Sequence, residues 1–162
     1  MPVPRCFPEQ EPLEFLEIRL KSNIDLEQLV AGAGDAIMVC DAEGAIVLWN
    51  RAAERIFGFT EAEALGRSLD LIIPERQRGR HWDGYQKTMA TGITKYGADL
   101  LRVPALHKDG HTLSIAFTVS MLFSEDRKVT GIVAFVRDET ARFAEDRKLR
   151  ARLAEVEARI KA

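Results

Sequence analysis

Hydrophobic and polar positions change rhythm several times along the chain, and each change marks an element. Residues 13–30 carry Leu13, Leu16, Leu20, Leu26, Leu29 and Val30 at helical spacing, interrupted near Ser22 and Asn23, which predicts a broken helical lead-in. An apolar run at 36–40 fits a buried strand, and Asp41-Ala42-Glu43-Gly44 supplies turn residues before a second strand over 45–50, completing a hairpin. A short helix over 52–57 is stopped by Gly58. Thr60 and Glu63 have the spacing of a capping box, opening another short helix that Gly66 ends. Pro74 and Gly92 bracket a longer one. Strand patterns then return at 100–106, 112–123 and 129–136, with turns at Lys108-Asp109-Gly110-His111 and over 124–128. Five strands with a helical insert after the second predict an α+β fold, an antiparallel sheet with helices on one face.

Composition narrows the class. With 162 residues and 46% hydrophobic content, one domain with a real core plus modest extensions is expected. A net charge of -2 gives no electrostatic footprint for nucleic acid. The N-terminus, MPVPRCFPEQEP, has prolines and acids where a signal peptide needs an apolar run, and nothing later approaches a membrane span. A cytoplasmic protein is expected. Cys6 and Cys40 show no CxxC spacing, which argues against a disulfide framework or a zinc-cysteine site. There is no Gly-rich phosphate loop, nucleophile elbow or convincing carboxylate pair, so an enzyme is not expected.

Candidate chemistry centres on the long helix. Over 74–91, His81, Tyr85 and Met89 recur at i, i+4 and i+8 and share one face. The period of two places Ile115, Phe117 and Val119 on one side of a later strand, able to form an opposing wall. Trp82, Tyr85 and Met89 equally fit plain core packing. His107 and His111 flank a turn and are expected to face solvent.

The succession DAIMVCDAEGAIVLWNRAAERIFGF, EALGRSL, HKDGHTL and GIVAFVRDET resembles a PAS domain over 35–140. The resemblance implies the PAS fold and a sensing or dimerising role in signalling proteins, including two-component systems. It divides the chain into a tail and helical cap (1–34), the sensor domain (35–138) and a C-terminal signalling helix (139–162).

Within the family, the chain resembles the haem-binding PAS domain of the rhizobial oxygen-sensing histidine kinase. Its proximal histidine follows an Arg shortly after Met-Pro-Glu, matched here by Ile73-Pro74-Glu75 leading to Arg80-His81. A bacterial haem-regulated phosphodiesterase sensor likewise places its ligand histidine after Ile-Pro in this helix. The resemblance implies haem b with His81 as axial iron ligand, and contacts from Leu69, Ile73, Tyr85, Leu101, Phe117 and Val119. Neutral imidazole is the usual protein ligand of haem iron, and one axial ligand leaves the other face open to a diatomic gas.

Two departures bear on the gas. The Arg that bonds bound oxygen in the family sensor is replaced by Leu101, with Arg102 on the opposite sheet face and Tyr96 the nearby hydroxyl. This favours carbon monoxide or nitric oxide relative to oxygen. Lys87 and Lys95 stand where that sensor has basic residues near the haem propionates. A photoactive flavin would need a cysteine near the start of the long helix, where this chain has none; a redox flavin, a small metabolite or no ligand remain as alternatives.

Beyond residue 138 the chain lacks Gly and Pro, and Leu149, Leu153, Val156 and Ile160 follow spacings of four, three and four, as in a short coiled-coil seam. A solvated helix packed back on its own sheet is the other reading. Two heptads are marginal alone, so help from residues 13–20 and a parallel homodimer are expected. Sensor kinases of the family continue from this point into a phosphotransfer helix. Either an excised sensor module or a stand-alone protein acting on a downstream partner would fit.

Overall fold

The computed structural model describes residues 24–94 and 99–161. Helix α1 (Leu26–Gly32) is capped by Asp25, whose side chain accepts from the Gln28 amide. The helix therefore begins after the interruption expected at Ser22 and Asn23, and runs past Val30 to Gly32. Residues 13–20, expected to be helical, lie outside the described residues.

Strands β1 (Ala36–Asp41) and β2 (Ile46–Trp49) form the predicted hairpin. Asp41 Oδ1 accepts from the amides of Glu43 and Ala45, and Gly44 takes a positive φ of 84°. Helix α2 (Arg51–Phe57) ends at left-handed Gly58. Helix α3 (Glu61–Ala64) opens on the predicted capping box of Thr60 and Glu63. A single 3-10 turn, Leu69–Leu71, not foreseen from the pattern, leads into α4 (Glu75–Thr91), which starts after Pro74 and stops at left-handed Gly92.

Three more strands follow, β3 (Leu101–Leu106), β4 (Thr112–Phe123) and β5 (Val129–Asp138), before the terminal helix α5 (Thr140–Lys161). The sheet has the order β2-β1-β5-β4-β3, with every pairing antiparallel. The last strand in sequence is thus central. Pro104 sits in β3, an edge strand, where a missing amide donor is tolerated.

Register explains where the core lies. Cross-strand partners point to the same face, so Leu101, Phe117, Val136 and Ala36 form one row, and Val119, Ala134, Met38 and Trp49 the next. Ala36, Met38, Val136 and Trp49 belong to the buried cluster under the helices. Trp49 and Phe57 are among its largest fully buried side chains, with ring centroids 5.3 Å apart. Truncating either to alanine should cost about 3–5 kcal/mol. The Trp49 indole also donates to the Phe59 carbonyl at 3.0 Å, tying the hairpin to the turn before α3.

Candidate cofactor pocket and signal exit

The middle of α4 has its buried and half-buried positions at His81, Trp82, Tyr85, Thr88 and Met89, the spacing of one helix face. Two hydrogen bonds dock that face. The Tyr85 hydroxyl donates to the Asp41 carbonyl at 2.5 Å, and the Trp82 indole donates to Asp70 Oδ1 at 2.8 Å. Trp82 also lies flush against Gly44, where a Cβ would overlap its ring. Glycine there serves both the turn and the close approach. Trp82, Tyr85 and Met89 all pack on the core, so the packing reading of these three holds. Burial pushes the Tyr85 phenol pKa up, keeping it protonated and a donor.

His81 is different. Its Nδ1 is buried without a hydrogen-bond partner, the one such side-chain atom among the described residues. Burial lowers its pKa from the ordinary value, with the Asp70 charge pulling the other way. The ring is therefore a neutral imidazole, its edge against Trp82 at 4.8 Å between centroids and Tyr85 at 5.9 Å. A buried polar atom left unpaired costs about 1–3 kcal/mol, which marks it as unusual.

The other residues anticipated around His81 do not all share its surroundings. Leu69 and Ile73 pack against the core from the 3-10 turn and its exit, and Phe117 joins them from β4. Leu101 and Val119 share the helix-facing side by register. Arg102 points to the other side, where its Nε donates to Glu139 at 3.2 Å. Lys87 is exposed on α4, and Lys95 and Tyr96 lie outside the described residues. Cys40 is buried on β1, its thiol pKa pushed up to about 12 by burial, which leaves it unreactive.

One expectation needs correction. His111 is exposed, but His107 is only 22% exposed in its side chain. Its ring lies against Gly58, where φ is 79° and a Cβ would come within 2.5 Å of His107 Nε2. The hairpin tip is drawn down there because the Lys108 amide donates to the Phe57 carbonyl at 2.9 Å and Lys108 Nζ pairs with Glu63 at 2.5 Å. That pairing, with the Thr60 amide, holds the Glu63 carboxyl down at about 2. Asp109, between the two histidines, is also held at about 2 by hydrogen bonds from His111.

At the far end of the sheet, α5 is stitched on at its root. The Glu139 amide donates to the Ser114 carbonyl at 2.8 Å, and the Ser114 amide donates to Thr140 Oγ1 at 2.9 Å. Glu139 further accepts from Arg102 and Arg142, while Arg137 holds Asp35 through two bonds of 2.9 and 2.6 Å. From Ala141 to Ile160 every residue is exposed, so α5 does not pack back on its own sheet.

Sheet order, helical insert and terminal helix agree with a match of the PAS fold family to residues 24–138. The chain belongs to the PAS family. This PAS chain is 32% identical to the sensor protein FixL of Bradyrhizobium diazoefficiens over 127 residues, 78% of the chain and 24% of FixL. It is 24% identical over 125 residues to the oxygen sensor protein DosP of Escherichia coli, covering 77% of the chain and 15% of DosP. Among solved structures, the PAS domain of a Colwellia psychrerythraea protein matches with a TM-score of 0.61 at 23% identity, covering 78% of this chain and 98% of that one. An RNA-binding light-oxygen-voltage receptor matches with a TM-score of 0.66 at 23% identity, over 94% of this chain and 42% of that one. The chain spans about a quarter or less of the length of the curated relatives it matches. No helix among the described residues is long and apolar enough to cross a membrane.

Proposed function

We propose that this PAS domain is a haem-based sensor of a diatomic gas or of redox state, with His81 as the axial ligand. The observation that carries the reading is the buried, partnerless Nδ1 of a neutral His81 on the inward side of α4. Ligating imidazole must be neutral and have a ring nitrogen to give, and the surrounding walls must be apolar. Leu69, Ile73 and Phe117, packed against the core, and Leu101 and Val119, on the helix-facing side of the sheet, support the second requirement. Haem held by His81 would supply an iron able to bind a diatomic gas.

The chain's own residues do the rest. Tyr85 and Trp82 fix the orientation of the helix that carries His81. By the resemblance, Lys87 and Lys95 would supply positive charge to the haem propionates, and Tyr96 a hydroxyl to the gas. Leu101 places no donor on the helix-facing wall, so oxygen would lack the hydrogen bond that an arginine at this position would give. Carbon monoxide and nitric oxide, which depend less on a donor, are favoured relative to oxygen.

Relay runs from the sheet through Ser114, Glu139 and Thr140 into α5. Leu149, Leu153 and Val156, all more than half exposed, are the seam by which α5 meets its counterpart in a parallel homodimer, and a downstream signalling protein or output domain receives the change. Coupling requires the two ligation states to favour the two arrangements unequally.

The test is an absorption spectrum of protein supplied with haem. A Soret band is expected, and His81→Ala should abolish or displace it. No band, a band untouched by that substitution, or a flavin spectrum would refute the reading. Titrating the reduced protein with oxygen and carbon monoxide tests Leu101; tight, slowly released oxygen would contradict its assigned role.

A further inference from the structure

We propose that the tip of the β3–β4 hairpin binds a divalent transition-metal ion of the zinc class through His107, Asp109 and His111. Among the described residues these three form a group whose ligand atoms all lie within 4.8 Å of one another. Two imidazoles and one carboxylate are a donor set for zinc and its neighbours, and three protein ligands leave a fourth position open.

The hydrogen bonding at the tip brings both histidine rings onto one carboxylate oxygen. Asp109 Oδ1 faces His111 Nδ1 at 2.5 Å, His107 Nδ1 at 3.0 Å and the His111 amide at 3.1 Å. His107 Nδ1 also receives the Asp109 amide at 3.3 Å. That nitrogen therefore meets a donor and an acceptor at once, and one imidazole nitrogen cannot both give a proton and take one. With its lone pair turned to the amide, it lies lone pair to lone pair against the carboxylate. A metal ion would take that lone pair together with those of the carboxylate and the His111 ring, in place of the contact between them.

Backbone geometry holds the set in place without the metal. The His107 amide donates to the His111 carbonyl at 3.0 Å, and the Gly110 amide to the His107 carbonyl at 2.9 Å. The rings are stacked, 4.5 Å apart and 23° from parallel. Gly58 backs His107 from behind, its missing Cβ leaving room for the ring. Lys108, the nearest cation in sequence, is turned away onto Glu63. Tetrahedral bonds of about 2.0–2.1 Å need donor separations of about 3.3 Å. Asp109 and His111 are exposed, so their side chains would have to rotate to open the present spacing to that.

The site is separate from His81 and does not rest on haem binding. Tag-free protein titrated with zinc sulfate, in competition with a chromophoric chelator, should take up one equivalent. His107→Ala, Asp109→Asn and His111→Ala should each weaken uptake by at least about tenfold, while His81→Ala leaves it unchanged. His111 is exposed, so His111→Ala tests the site without disturbing the fold; circular dichroism checks His107→Ala. Zinc uptake by His111→Ala equal to that of the natural chain, or no uptake by the natural chain, would overturn the assignment. Copper(II) broadening of amide resonances should be confined to residues 107–111 and Gly58, and broadening centred elsewhere would also overturn it.

Discussion

Asn50 and the Nδ1 atom of His81 are both removed from water, yet their surroundings have opposite logic. Asn50, 6% exposed, spends its whole amide: Oδ1 accepts from Ile37 and Ala53, and Nδ2 donates to the carbonyls of Val30 and Asp35. It joins α1, β1 and α2 in a single knot. His81 spends nothing through Nδ1. A buried polar group that holds a fold together is satisfied by the fold; one left unsatisfied is available to something else.

The strongest way to break this contrast is at Asn50. Asn50→Ala removes a helix cap and strands two amides and the Asp35 carbonyl, while the Val30 carbonyl keeps the Ala33 amide, and should destabilise the domain by about 3 kcal/mol. Urea unfolding reads this as a lower midpoint at constant slope. A loss below about 1 kcal/mol would show the knot to be ornamental. Tyr85→Phe should cost about 1 kcal/mol, because the Asp41 carbonyl it abandons still accepts from Gly44.

His81→Leu should go the other way, leaving stability of the haem-free protein unchanged or raising it by up to about 1 kcal/mol, since it deletes an unpaired atom and keeps the volume. A large loss would mean that His81 has a structural role after all. The smallest effect is in pH. Burial holds the folded-state pKa of His81 below 6.5, so as pH falls through 6.5 the unfolded chain takes the proton first and the fold weakens. Stability returns as pH rises. Unfolding midpoints at pH 5.5 and 7.5 should therefore differ less in His81→Leu than in the natural chain.

How much of this could be read along the chain follows from what is local. The Thr60–Glu63 capping box, the turn at Gly44 and the alternation of Ile115, Phe117 and Val119 depend on neighbours a few residues apart, and sequence spacing predicted them. Asn50 was legible as a cap for α2, but its bonds to Val30 and Asp35 arise only once three elements meet. Asp25 rather than Ser22 or Asn23 caps α1, because several capping residues compete within a few positions and packing chooses among them.

The candidate site divides the same way. Position and periodicity drew attention to His81, whereas its missing partner is a property of the packed interior. The convergence of His107 and His111 is not legible along the chain, because it depends on hairpin register and on a glycine at position 58, far away in sequence. The signal that was present, two histidines bracketing Asp109 in a five-residue turn, reads as solvent-facing unless the tip is known to rest on α2.

The exposed run of α5 has a mechanical consequence. A 22-residue helix is a rod about 33 Å long, fixed at one end by Ser114, Glu139 and Thr140. A tilt of about 10° at that anchorage sweeps the far end through about 6 Å, roughly one helical pitch. A displacement too small to notice at the sheet is thus enlarged, by length alone, to the scale at which a distant partner changes its footing.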